Sequence, residues 1–176
     1  HHGDIVDNGD TGNEAQWLVA HQAMSILETV NLPDGIPFGL AVGNHDQSPL
    51  GAAAGTTAYY NQYFGESRFA GRAYYGGHYG DNNDNHYELF SAGDLDFIVL
   101  SMEYDTAPDA PVLQWAHDVL TANVNRRAIV VVHNLIGTGN PGSYSAQGTA
   151  VYNALRDCPN LFLMLCGHCS GLQEGR

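Results

Sequence analysis

The chain has 176 residues, of which 44% are apolar, and this suits a packed globular fold rather than a disordered or fibrous segment. Nineteen acidic residues stand against six basic ones, and the formal net charge is −13. A surface this acidic argues against a nucleic-acid backbone and against an anionic membrane as partners. The sequence also lacks an apolar run of the length that a membrane span needs.

The composition says less about compartment and domain organisation. The absence of Lys from an acidic chain leaves the localisation open and only slightly favours a secreted or periplasmic protein. Three Cys are too few for a disulfide framework in a chain of this size. We see no linker and predict a single domain over residues 1–176. Because the chain opens almost directly on a motif, we expect further residues upstream in the intact protein.

Apolar runs alternate with Gly-rich corners and helical patterns along the chain, which indicates an α/β layered fold. Apolar residues at three- and four-residue spacing predict a helix over residues 13–30. The further predicted elements are, in chain order, a buried strand over 36–42, a helix over 56–64, a β-hairpin of strands 85–91 and 95–102, a helix over 109–124, a buried strand over 128–132, a helix over 149–156 and a strand over 161–165.

One segment differs from the rest in composition. Residues 47–85 are rich in Gly, Ala, Tyr and Asn, which predicts an insertion-like segment within the domain. Long connections of this kind either carry function or run over the surface. The segment is therefore interpreted either as a rim of the substrate site or as a plain surface excursion.

Polar side chains suited to metal binding stand at the ends of three predicted strands. Asn44 follows the strand 36–42, His133 follows 128–132 and His168 follows 161–165, while Asp4 lies near the start of the chain. Open α/β sheets bind ligands at the carboxyl ends of their strands, so these residues could converge on one site. A carboxylate, an amide oxygen and two imidazoles suit Mn, Fe or Zn. A single His at a strand end is more often structural, but four such residues together favour a metal site.

The chain resembles a known family at these positions. Gly3-Asp4-Ile5-Val6-Asp7, Gly43-Asn44-His45-Asp46, the Val-Val-His that ends at His133, and Gly167-His168 follow, in order, the motifs of calcineurin-like metallophosphoesterases. The resemblance implies an αββα layered sandwich with two divalent metal ions at the carboxyl ends of strands. It also implies that a metal-activated hydroxide cleaves a phosphate ester, either a phosphomonoester or a phosphodiester.

The resemblance assigns a role to each matching residue. Asp4 would bridge the two metal ions, and Asn44, His133 and His168 would complete the ligands of the second ion. His45 would contact phosphate and protonate the leaving oxygen, and Asp46 would orient His45. Asp7 would support the site without binding metal itself.

Two departures from the family pattern concern the first ion. The family's first motif, an Asp with a His on an earlier strand, has no counterpart here, and Ser170 stands where the family's last motif has a second His. We therefore expect about one tightly held ion in this chain and two in the intact protein. A degenerate module that binds metal without catalysis is the alternative that Ser170 supports.

A second alternative comes from the letters around His168. Cys166-Gly167-His168-Cys169 spells a thiol-disulfide motif. Thioredoxin-like folds place that motif after an early strand and before a long helix, whereas here only seven residues follow it. It also leaves Asp4, Asn44 and His133 unexplained.

Overall fold

A computed structural model describes residues 1–9 and 14–169 of the chain. The helices are α1 (Glu14–Glu28), α2 (Ala58–Phe64), α3 (Glu66–Phe69), α4 (Ala110–Ala122) and α5 (Ala146–Leu155), and a 3₁₀ turn spans Asn44–Asp46. The strands are β1 (Tyr75–His78), β2 (His86–Ala92), β3 (Leu95–Met102), β4 (Arg127–Val132) and β5 (Leu161–Leu165). None of the helices among these residues is long and apolar enough to cross a membrane.

The described strands form one mixed sheet in the order β1-β2-β3-β4-β5. The pairs β1–β2 and β2–β3 are antiparallel, and the pairs β3–β4 and β4–β5 are parallel. The predicted hairpin is confirmed, with Gly93 at φ +60° in its turn, a backbone angle that glycine adopts without strain. The α/β prediction is confirmed as well, since helices flank a mixed five-stranded sheet.

One face of the sheet packs against α4 and α5. Alternate residues of β3 and β4 point to this face and are fully or almost fully buried, and they meet apolar side chains from both helices. This cluster includes Ile98, Leu100, Met102, Val130, Val132, Leu120, Val151 and Leu155. Burial of so many aliphatic side chains fixes the direction in which β4 delivers His133.

The second buried cluster joins α1 to the segment 47–85. Trp17 of α1 is fully buried among aromatic side chains that this segment supplies, namely Tyr60, Phe64, Phe69 and Tyr74. The segment also contributes α2, α3 and the edge strand β1. It therefore builds part of the core, whatever further role its surface has at a substrate site.

The predicted strand 36–42 is the largest error in the sequence interpretation. These residues have no strand assignment in the structure. The backbone is instead held by separate partners: the amide of Ala41 donates to the carbonyl of His1 at 3.0 Å, and the carbonyl of Val42 accepts from the amide of Tyr104 at 2.8 Å. The apolar run predicts burial correctly, because Leu40 and Val42 are 1% and 0% exposed, but it does not predict the pairing.

Candidate metal centre

Four predicted side chains lie together at the carboxyl ends of β4 and β5. His133 Nε2 is 3.2 Å from Asp4 Oδ2, 3.1 Å from Asn44 Oδ1 and 3.3 Å from His168 Nδ1. Asn44 Oδ1 is also 2.9 Å from His168 Nδ1. The structure thus joins a carboxylate, an amide oxygen and two imidazoles from four separate parts of the chain.

These spacings are those of a metal shell. With metal–ligand bonds of about 2.1 Å, neighbouring donor atoms are about 3.0 Å apart in an octahedron and about 3.4 Å apart in a tetrahedron. The four donor–donor distances of 2.9–3.3 Å fall in that range. The donor set also has the chemistry that Mn, Fe and Zn favour. The residues therefore fit a divalent ion, and metal binding itself stays a prediction.

His133 is held with the correct nitrogen facing the other donors. Its Nδ1 lies 2.8 Å from the carbonyl oxygen of His2 and donates to it, which leaves Nε2 for a metal. The ring is 1% exposed. Burial by itself would lower the pKa of His133, but the hydrogen bonds to Asp4 and His2 and the charge of Asp4 outweigh burial and raise that pKa. Metal binding at this set therefore competes with a proton on His133 and should weaken as the pH falls.

The backbone at two of the ligands has unusual φ angles, and a glycine beside a third allows a close backbone contact. Asp4 and His168 both have positive φ, 53° and 63°, which few residues other than glycine adopt. Gly43 is needed at its position, since a Cβ there would lie 2.1 Å from the amide nitrogen of Asp4. The Gly of the Gly-Asn-His-Asp motif therefore lets the Asp4 loop approach Asn44 closely.

The expected contact between Asp46 and His45 is not the one that the structure shows. Asp46 is 2% exposed and accepts from three backbone amides: Ile5 at 2.8 Å, Val6 at 3.1 Å and Gly43 at 2.7 Å. Burial raises the pKa of Asp46 to about 7, although those amides oppose the rise. These contacts do not include the ring of His45, so the prediction that Asp46 orients the imidazole stays a prediction. Asp46 holds the Asp4 loop against the motif that carries Asn44.

His45 is oriented by Asp7. His45 Nδ1 lies 2.7 Å from the carbonyl oxygen of Asp7 and 3.7 Å from its carboxylate oxygen Oδ1. The side chain of Asp7 is 79% exposed and that of His45 is 35% exposed. With Nδ1 bonded to Asp7, Nε2 is the nitrogen of His45 that can meet a ligand.

Comparisons with known proteins identify the family of the chain. Residues 1–168 match the calcineurin-like phosphoesterase family. The chain belongs to that family. A relative, the uncharacterized protein YvnB of Bacillus subtilis, is 34% identical over 169 residues, which make up 96% of this chain. The chain spans only 12% of the length of YvnB.

Within this calcineurin-like site, sequence reasoning missed two contributors. The ring of Tyr104 lies with its centroid 6.0 Å from that of His133 and 5.4 Å from that of His168. Tyr104 follows β3 at the edge of the sheet where the ligands lie, so the strand-end rule could have found it. The carbonyl of His2 is a backbone contact and carries no signal in the sequence.

The structure limits the two alternatives around His168 in different ways. Cys166 and Cys169 are both free thiols, and residues 166–169 are not helical. The thiol-disulfide interpretation expects a helix at the motif, and the described residues 166–169 do not form one. Ser170 lies outside the described residues, so the expectation that it weakens the first metal site stays a prediction.

Glu103, next to Tyr104, has a buried carboxyl group whose ionisation should affect the stability of the fold. Its Oε1 accepts from Asn85 Nδ2 at 2.9 Å, and its Oε2 is buried. Burial, with the charge of Asp84, raises the pKa of Glu103 from 4.5 to about 7. A raised carboxyl pKa means that the folded chain binds more protons than the unfolded chain between these two values, so Glu103 lowers stability as the pH rises through this window.

Glu103→Gln should therefore stabilise the fold at about pH 8, by at most about 3 kcal/mol, and have little effect near pH 4, because one pKa unit corresponds to about 1.4 kcal/mol. The measurement is the free energy of unfolding in urea against pH, with chelator present. Asp94→Asn, in the exposed β2–β3 turn, controls for the loss of one negative charge. A Glu103→Gln protein that is no more stable than wild type at pH 8 would contradict this account.

Proposed function

We propose that the chain hydrolyses phosphate esters with divalent metal ions, one of them held by Asp4, Asn44, His133 and His168. The observation that carries the proposal is the convergence of these four residues. His133 Nε2 lies 3.1–3.3 Å from a donor atom of each of the other three, and Asn44 Oδ1 lies 2.9 Å from His168 Nδ1. When bound in such sites, Mn, Fe or Zn lowers the pKa of a coordinated water and polarises phosphoryl oxygens. The intact protein would hold two such ions, in keeping with its family.

The charge around the site supports a role for metal in binding the substrate. Asp4 and Asp7 both lie close to His45, and a phosphate ester would meet their carboxylates if no cation were bound. Arg68 and Arg72 bind Glu28, and Arg126 lies near Asp96. These Arg side chains are therefore engaged elsewhere in the described part of the chain.

His45 is the residue proposed to protonate the leaving oxygen. Its Nδ1 is held by the Asp7 carbonyl at 2.7 Å, and the Asp7 carboxylate lies 3.7 Å from the same nitrogen. Nε2 can then carry the transferable proton toward the ligand side. The main-chain amide of His45 donates to Asp4 Oδ1 at 3.1 Å, which fixes the imidazole relative to the metal ligands.

The test is hydrolysis of p-nitrophenyl phosphate and bis(p-nitrophenyl) phosphate, representing a monoester and a diester. We expect activity on at least one of them, loss of that activity in excess chelator, and its return with Mn²⁺ or a similar ion. The His168→Ala protein, purified in parallel, controls for a contaminating phosphatase. Activity that survives excess chelator would contradict the proposal, and tight metal binding without any hydrolysis would favour the non-catalytic module instead.

A further inference from the structure

A second cluster of metal-binding side chains lies away from the candidate centre. His117 of α4 and the adjacent residues Asp157 and Cys158, between α5 and β5, each place one ligand atom within 4.8 Å of the others. Cys158 precedes β5, whereas His168 follows it, so the cluster is near the opposite end of that strand. We propose that His117, Asp157 and Cys158 form a second metal site, selective for a zinc-like ion.

The donor set of the cluster is that of a zinc site. Thiolate sulfur, imidazole nitrogen and carboxylate oxygen are the three kinds of protein ligand that Zn²⁺ takes, usually in a tetrahedron. Bonds of about 2.0–2.3 Å place tetrahedral ligands about 3.3–3.6 Å apart. His117 Nε2 and Asp157 Oδ1 are 3.7 Å apart, so only a small movement of an exposed side chain is needed.

The second nitrogen of His117 adds an independent observation. Nδ1 is buried and has no hydrogen-bond partner among the described residues, while Asp118 Oδ1 lies 3.7 Å from it. Metal-bound imidazoles commonly donate their other ring N–H to a carboxylate. With Nε2 on the ion, Nδ1–H could donate to Asp118 after a modest rotation, and this would give the orphaned nitrogen a partner.

The surroundings of Cys158 disfavour a thiolate that has no cation beside it. Cys158 is 4% exposed, and burial, together with the charge of Asp157, raises the pKa of its thiol. A bound cation would offset both effects, so binding should release a proton and weaken at lower pH. The ion would join α4 to the segment before β5, beside the buried residues Ala116 and Leu120.

Cobalt titration of the full chain tests the site, because a thiolate bound to Co²⁺ gives an ultraviolet charge-transfer band that oxygen and nitrogen ligands do not give. Cys166→Ser/Cys169→Ser removes the two thiols that flank His168 and leaves Cys158 as the sole thiol. We expect this protein to keep the band and the further change Cys158→Ser to abolish it. Asp157→Asn changes an exposed residue and should not disturb folding. It should lower the cobalt affinity, measured from the charge-transfer band, by at least about tenfold.

Each outcome decides the proposal. A band that is absent when Cys158 is the sole thiol would overturn it, and so would a band whose cobalt affinity is unchanged in both Asp157→Asn and His117→Gln. None of these readouts depends on phosphoesterase activity, so the second site and the proposed function can fail separately.

Discussion

His133→Ala should lower the affinity for Mn²⁺ at the candidate centre by at least about 100-fold and abolish metal-dependent hydrolysis. His133 Nε2 lies within 3.3 Å of Asp4, Asn44 and His168, so its removal takes away the central donor. Changes to residues that only support a ligand typically cost 10–100-fold in metal affinity, and the loss of a ligand should cost more. Equilibrium dialysis with Mn²⁺ measures the effect.

Because His133 is buried, its replacement leaves a cavity that destabilises the fold. Two further variants separate the loss of metal from unfolding. His168 is exposed, and His168→Ala should weaken metal binding while the fold is kept. His78→Ala, at the sheet edge in β1, is the matched change of a His outside the site and should leave Mn²⁺ affinity as in wild type. Wild-type affinity in a folded His168→Ala protein would contradict the ligand assignment.

His45→Gln should keep the metal and lower turnover by about 10²–10⁴-fold, the range typical for loss of a general acid. Gln can donate a hydrogen bond but cannot deliver a proton at Nε2. The rate at saturating substrate, with bound metal measured in the same samples, checks this expectation. Metal loss comparable to that in His133→Ala would show that His45 is a ligand instead.

Two substrates with different leaving groups test whether His45 donates a proton. p-Nitrophenol is a far stronger acid than phenol, so its departure needs less help from a proton donor. We therefore expect His45→Gln to slow phenyl phosphate hydrolysis more than p-nitrophenyl phosphate hydrolysis. Equal losses on both substrates would mean that His45 only contacts phosphate. Asp7→Asn is a useful companion, since the Asp7 carbonyl at 2.7 Å remains and only the carboxylate at 3.7 Å changes.

The sequence predicted the parallel part of the sheet well for a simple physical reason. β4 and β5 are both nearly continuous apolar runs of the length of a strand, and β4 is mainly buried, as a strand covered on both faces should be. In β5, by contrast, Phe162, Leu163 and Leu165 stay exposed. The last strand, Leu161–Leu165, has the predicted bounds. The sequence alone therefore predicts His133 and His168 at one edge of the sheet.

The rest of the site depended on contacts that side-chain patterns do not encode. Asp46 binds three backbone amides, and His133 is oriented by the carbonyl of His2. Backbone groups are present at every residue, so the sequence gives no sign of which one will be used. Helix α5 begins three residues earlier than predicted for a related reason: Ser145 Oγ accepts from the amide of Gly148 at 2.8 Å, which caps the helix at its true start.

The most direct test of the account is the metal content of wild-type, His133→Ala and His45→Gln proteins, measured together by mass spectrometry after exhaustive dialysis. All three proteins also carry Cys158→Ser, which excludes any ion held by His117, Asp157 and Cys158. The account predicts about one divalent ion per chain in wild type and in His45→Gln, and none in His133→Ala. Equal metal content in all three proteins, or no metal in wild type, would contradict the claim that Asp4, Asn44, His133 and His168 hold the ion.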